Sequence, residues 1–294
     1  MAGPGSLLSR TVRSARRDRV SGTSAELAFF LLLSIPPAIL ILAGLAGYVG
    51  DLLGANVQRS MQSAIIEGLG RFLQPDTMND FVVPAVSDLF ARGRADILSV
   101  GAVLAVWSVS RVTAIFMQAS DVAFGRTDVR ARWRHRLAAL GITFGGLVVA
   151  AFALPIIVAG PRLGRAIAEH TPLPSGFEDV WRVVYWPFAA VTGVALLAWM
   201  FHVASGRGSR WRSHLPGAAL AAGVWIVAAG GLRIYADAAL GKGSAFGPLG
   251  APIILLLWLY LSAVALLIGV ELNAELSRGE NHSERGSDPV TGER

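Results

Sequence analysis

Cysteine is absent, and lysine occurs once, at Lys242. The first absence removes disulfides, thiolate nucleophiles and every zinc motif that needs a thiolate, and it leaves the redox compartment open. The second makes the basic complement almost wholly arginine, a bias that GC-rich coding explains as well as any demand for guanidinium chemistry. Charge of either sign is also scarce: charged residues make up 16% of the chain and hydrophobic residues 53%, with a mean hydropathy of +0.54. That balance lies outside the range of soluble domains and points to a polytopic membrane protein.

Catalytic motifs are lacking too. The histidines His135, His170, His202, His214 and His282 are dispersed, with no H-E-x-x-H or other metal-ligand spacing. Neither a G-x-S-x-G elbow nor a phosphate-cradling G-x-x-x-x-G-K-[ST] loop occurs, so ATP-driven chemistry by this chain alone is not expected. The sequence therefore predicts no catalytic residues, no metal and no cofactor. A net charge of +6 and a sequence pI near 10.6 would suggest nucleic-acid binding in a soluble chain. Here membrane topology accounts for the arginines, and no nucleic-acid partner is expected.

What the chain does have is long apolar runs. A helix needs about 20 mostly apolar residues to cross a bilayer core. Six stretches qualify, at about 27–49, 97–120, 137–160, 183–202, 215–240 and 248–270. The arginine stretch before the first of them resembles a secretory signal, but the apolar run is too long and lacks a small-residue cleavage pattern, so it reads as a retained span. Five arginines precede span one, five more lie in "GRTDVRARWRHR" between spans two and three, and three lie in "SGRGSRWRSH" between spans four and five. Six spans place all of these on one side, which the positive-inside rule makes cytoplasmic together with both termini.

The loop between spans one and two falls on the opposite side and is acidic, with Asp51, Glu67, Asp76, Asp80, Asp88 and Asp96. Val57, Met61, Ala64, Ile65, Leu69, Phe72 and Leu73 recur in it at helical spacing, as expected of an amphipathic helix that packs on the spans or lies on the bilayer. The predicted fold is an all-α membrane protein of about six transmembrane helices, with a long outer loop carrying amphipathic helices. Residues 1–24 form a basic tail, 25–276 the membrane domain, and 277–294 a polar, disordered tail.

Ionisable residues inside spans are costly and face partners or aqueous cavities. Arg111 lies within span two, and Glu26 at the entry of span one and Glu271 at the exit of span six match its depth. We expect a polar cluster of Arg111, Glu26 and Glu271, joined by Asp121. Its role is either substrate binding and gating or a static packing bridge. Arg233 and Asp237, four residues apart on span five, form an intrahelical pair or an outer gate. Pro36 and Pro37 remove two amide donors and predict a helix break in span one, with Ser34 placed to satisfy a freed carbonyl. The Gly/Pro-rich stretch "LGKGSAFGPLGAP" before span six is a tight turn or a short re-entrant segment.

Four blocks together, "LAFFLLLSIPPAILIL", "WSVSRVTAIFMQASDVAFG", "HLPGAALAAGVW" and "GPLGAPIILLLWLYLSAVALLIGVELNAEL", resemble the YihY/virulence factor BrkB family over roughly residues 22–276. The resemblance implies a bacterial inner (plasma) membrane protein with about six spans. Members of that family were once labelled ribonuclease BN, a label generally regarded as misassigned, so the resemblance weakens a nuclease reading. It supplies no catalytic residues. The family pattern more often has alanine at Glu26 and asparagine at Asp121, whereas Arg111, Glu271 and Asn273 match it. The expected function is a transporter or permease-like carrier of an unidentified small anionic solute or lipid, in contact with membrane lipids. A non-transporting envelope-integrity or scaffold protein is the alternative, and a membrane-associated ribonuclease the remote one.

Overall fold

The computed structural model describes residues 4–53, 95–126, 177–205, 210–239 and 250–285, with isolated positions between 59 and 87. Among the described residues the regular structure is helical: α1 (Pro4–Arg17), α2 (Val20–Leu53), α3 (Ala95–Ala123), α4 (Phe177–Ser205), α5 (Leu215–Ala239) and α6 (Gly250–Arg285), with a 3-10 turn, Trp211–His214, leading into α5. Five stretches of these helices are long and apolar enough to cross a membrane: Val20–Pro37, Val103–Ala123, Val183–Ser205, Trp211–Ala238 and Pro252–Gly279. The expected span at 137–160 and the Gly/Pro turn before α6 lie outside the described residues.

Side-chain placement follows the logic of a chain solvated by lipid. The buried set is rich in small residues, among them Ala198, Ala204, Ala218, Ala221, Ala263 and Ala265. Large aliphatic side chains such as Val183, Val191, Val227 and Ile234 are exposed. In water this would be an inside-out core. In a bilayer the exposed branched residues meet acyl chains, and small residues let helix backbones approach. The protein is thus a multi-pass membrane protein.

Local sequence explains how the helices end. Gly125 takes φ 67° after α3, with Arg126 N–H donating to the Asp121 carbonyl at 2.8 Å and Gly125 N–H to that of Val122 at 3.0 Å. These paired bonds close the helix through a left-handed residue that glycine adopts without a Cβ clash. Arg19 does the same after α1 at φ 55°, with its N–H on the Arg16 carbonyl at 3.3 Å.

Pro36 and Pro37 stand inside α2, which continues from Val20 to Leu53, so the expected break does not end the helix. Opening it would strip further amides of their partners where no water replaces them. The Ser34 hydroxyl donates to the Leu31 carbonyl at 2.6 Å. The carbonyls that lose proline donors are those of Leu32 and Leu33, so this bond braces the turn ahead of the gap. At the other end of the chain α6 runs on to Arg285, into the segment for which composition suggested a disordered tail. In the long loop, the described positions near 62 and 87 are helical, and the Gln62 amide donates to the Ser87 hydroxyl at 3.0 Å.

Packing divides the chain into two compact units, residues 1–21, 116–224 and 265–294 in the first and 22–115 and 225–264 in the second. Helices α3, α5 and α6 change unit along their length, as does α2 after its first two residues.

Candidate functional site

In the first unit, glycine decides where α5 and α6 meet. A Cβ on Gly217 would run into the Gly269 carbonyl and the Asn273 side chain, and one on Gly269 would lie 2.6 Å from the Gly217 carbonyl and 2.9 Å from Ala221 Cβ. The two backbones therefore touch. That contact brings Asn273, 1% exposed, against the start of α5. Its Oδ1 accepts from Gly217 N–H at 2.9 Å and its Nδ2 donates to the His214 carbonyl at 3.3 Å. The first amides of a helix have no partner within it, and here a side chain from a neighbouring helix supplies one.

Beside this joint sits a buried imidazole. His214 is 1% exposed, with Nε2 2.9 Å from Ser205 Oγ and its ring edge-on to Phe124. His202 lies against it, ring centroids 5.6 Å apart. Ser205 has a single hydroxyl hydrogen, and its Oγ also lies 3.1 Å from the His202 carbonyl, which can only accept. With that hydrogen on the carbonyl, His214 Nε2 carries its own and donates to the serine. In this tautomer His214 is a donor to Ser205 and not its base.

The carboxylates of α6 complete the first unit. Glu275 accepts a bond from the Ser14 hydroxyl of α1 at 2.6 Å and pairs with Arg278, which also donates to the Ala123 carbonyl that closes α3. One turn earlier, Glu271 is 2% exposed and its Oε2 has no hydrogen-bond partner. The charged groups acting on it are Asp18 just after α1, Arg278 and Glu275 on its own helix, and Arg17 at the end of α1.

The second unit holds the other expected residues. Arg111 Nη2 lies 3.8 Å from Glu26 Oε1, with the two side chains 49% and 50% exposed. The Arg111 guanidinium stands over the Phe30 ring, 5.1 Å from its centroid, and Trp107 meets Phe30 edge-on at 6.0 Å. A guanidinium on a ring face gains cation–π attraction while its in-plane donors stay free to bond. Arg233 and Asp237 are both exposed on α5, and Ser34, Pro36 and Pro37 stand on α2.

The structure thus brings Arg111 and Glu26 together in one unit and places Glu271, Asn273 and Asp121 in the other. The sequence alone does not single out Ser14, Ser205, His214 or Arg278. The one local signal was the i,i+3 spacing of Glu275 and Arg278; Ser14 lies 261 positions away from Glu275.

The family model described as Virulence factor BrkB matches residues 11–292. The ribonuclease-like protein YfkH of Bacillus subtilis (strain 168) is 25% identical over 259 residues, which cover 87% of this chain and 89% of that relative. No solved structure matches.

Proposed function

The chain belongs to the virulence factor BrkB family, and on that premise we propose that this multi-pass membrane protein is a carrier for an anionic solute or lipid. The observation that carries the reading is the slack around Arg111. A charge-assisted pair meant to hold helices together closes to roughly 2.7–2.9 Å and often to two parallel bonds. The Arg111–Glu26 separation is 3.8 Å, with both groups half exposed. Phe30 supports the guanidinium from one face, leaving donors for a carboxylate or phosphate.

In this reading Glu26 is the resident counterion, displaced when substrate arrives. Glu271 is a second polar element on α6, with Asp121 and Asn273 positioning the helices that carry it, and Arg233 with Asp237 is an outer gate. The arginine-rich segments and both termini face the cytoplasm of a bacterial cell, in the inner membrane.

The reading assigns no catalysis. The name of YfkH raises ribonuclease-like activity, but the Ser205–His214 pair is buried, at 0% and 1% exposure, away from any substrate in solution. Among the described residues, no three histidine, aspartate or glutamate side chains gather as metal ligands. A scaffold role is the second reading, favoured by the saturated bonding around Glu275 and Asn273.

Reconstitution into liposomes separates the two. Saturable flux of an organic anion or anionic lipid is expected from the natural protein. Arg111→Ala is expected to lose at least about tenfold of it, the loss of roughly 1.5 kcal/mol from a charged hydrogen bond, at unchanged abundance. Absence of saturable flux across carboxylates, phosphates and anionic phospholipids, or full flux in Arg111→Ala, defeats the carrier and leaves the scaffold.

A further inference from the structure

Helix α1 has three faces of different chemistry. At about 100° per residue, Thr11 and Ser14 share one face, Leu8, Val12 and Ala15 a second, and Arg13, Arg16 and Arg17 a third. The first is turned into the protein: Thr11 and Ser14 are 2% and 6% exposed, and the Ser14 hydroxyl donates to Glu275 of α6 at 2.6 Å. That bond sets the rotation of α1 about its own axis. As a result Leu8 and Val12 are 53% and 52% exposed, and Arg13, Arg16 and Arg17 are exposed beside them. A helix packing onto a protein core turns its apolar stripe inward. Here the inward face carries the Thr11 and Ser14 hydroxyls on either side of a part-buried Leu7, and the stripe of Leu8 and Val12 faces out.

We propose that α1 is an interfacial helix that lays Leu8 and Val12 into the acyl boundary of the membrane the chain spans, and binds anionic phospholipid headgroups through Arg13 and Arg16. Charge complementarity names the occupant. The segment PGSLLSRTVRSARR carries no acidic residue, and an apolar stripe flanked by arginines is the pattern that meets acyl chains and phosphates together. Arg17 is already engaged, its Nε 2.9 Å from Asp18 Oδ1, which leaves Arg13 and Arg16 as the headgroup ligands. A second copy docking through the same face would bring two arginine rows together, an arrangement that like-charge repulsion opposes.

The absence of cysteine makes the test direct. Single Leu8→Cys, Val12→Cys and Ser9→Cys variants are labelled with an environment-sensitive fluorophore and reconstituted in phosphatidylcholine vesicles with or without phosphatidylglycerol. With phosphatidylglycerol, labels at 8 and 12 are expected to be quenched by brominated acyl chains and shielded from iodide, while the label at 9 stays open to iodide. Each arginine contributes about fivefold to attraction toward an anionic surface, so Arg13→Gln with Arg16→Gln should weaken insertion roughly twenty-fivefold without moving the melting temperature. Equal iodide access at all three positions in both lipids overturns the proposal. So does shielding at 8 and 12 that is indifferent to phosphatidylglycerol, or shielding that persists in neutral detergent and fades on dilution, the mark of a second copy.

Discussion

Glu275 in the first unit and Glu26 in the second each sit beside an arginine, and the two pairs are held in opposite ways. Glu275 is 10% exposed and accepts from both Ser14 and Arg278, while Arg278 goes on to the Ala123 carbonyl. Helix α1, the end of α3 and the C-terminal half of α6 thereby share one bonded cluster. Glu26 is 50% exposed and stands 3.8 Å from a guanidinium whose other neighbour is an aromatic face. Where a carboxylate is buried, every donor that reaches it offsets desolvation, and the group becomes part of the packing. Where it is half exposed and loosely paired, little stability depends on it, and the arginine is left for another anion.

The contrast is broken most severely at the backbone joint of the first unit. Gly217→Ala places a methyl group against the Gly269 carbonyl, where no flexible side chain can yield, so α5 and α6 must part and Asn273 loses its amide. We expect a loss of about 3 kcal/mol, the upper range for overpacking, read as a large fall in the thermal midpoint of the purified protein in detergent. Glu275→Ala comes next. Removing the shared acceptor leaves Arg278 and Ser14 without it, for about 2 kcal/mol, and limited proteolysis should release α1 before the spans unfold. The smallest effect belongs to Glu26→Ala, where an exposed pair is worth about 1 kcal/mol at most and the midpoint should hardly change. A midpoint lowered by Glu26→Ala as far as by Glu275→Ala would erase the distinction between the two pairs.

Much of the architecture was legible in composition and spacing. Apolar runs of about 20 residues admit only helices in a bilayer, because a strand edge or coil would leave amides without partners; five such helices stand among the described residues. The end of α3 was legible in principle from Gly125, whose place after the apolar run suits a left-handed closing residue. The polar cluster was less so. Arg111 and Glu26 could be matched because the depth of each in its span is readable from the chain alone. Glu275 could not be distinguished from a residue at the membrane boundary, since its partners arrive from α1 and from the end of α3. The two prolines show the same division: a lost donor is a local fact, and the continuity of α2 through them depends on what surrounds it.

By itself the sequence determined that this chain lives in a membrane, that its regular elements are helices, and roughly where those helices run. Those outcomes depend on hydrophobic content and on backbone hydrogen bonds closed within one segment, and both are additive along a chain. Tertiary structure decided how tightly each charge is held. The Gly217–Gly269 contact sets Asn273 on the start of α5, the Ser14–Glu275 bond turns the arginines and the apolar stripe of α1 outward, and Arg111 is left loosely held over Phe30. Each of these depends on distances between residues far apart in the chain, which no local pattern encodes.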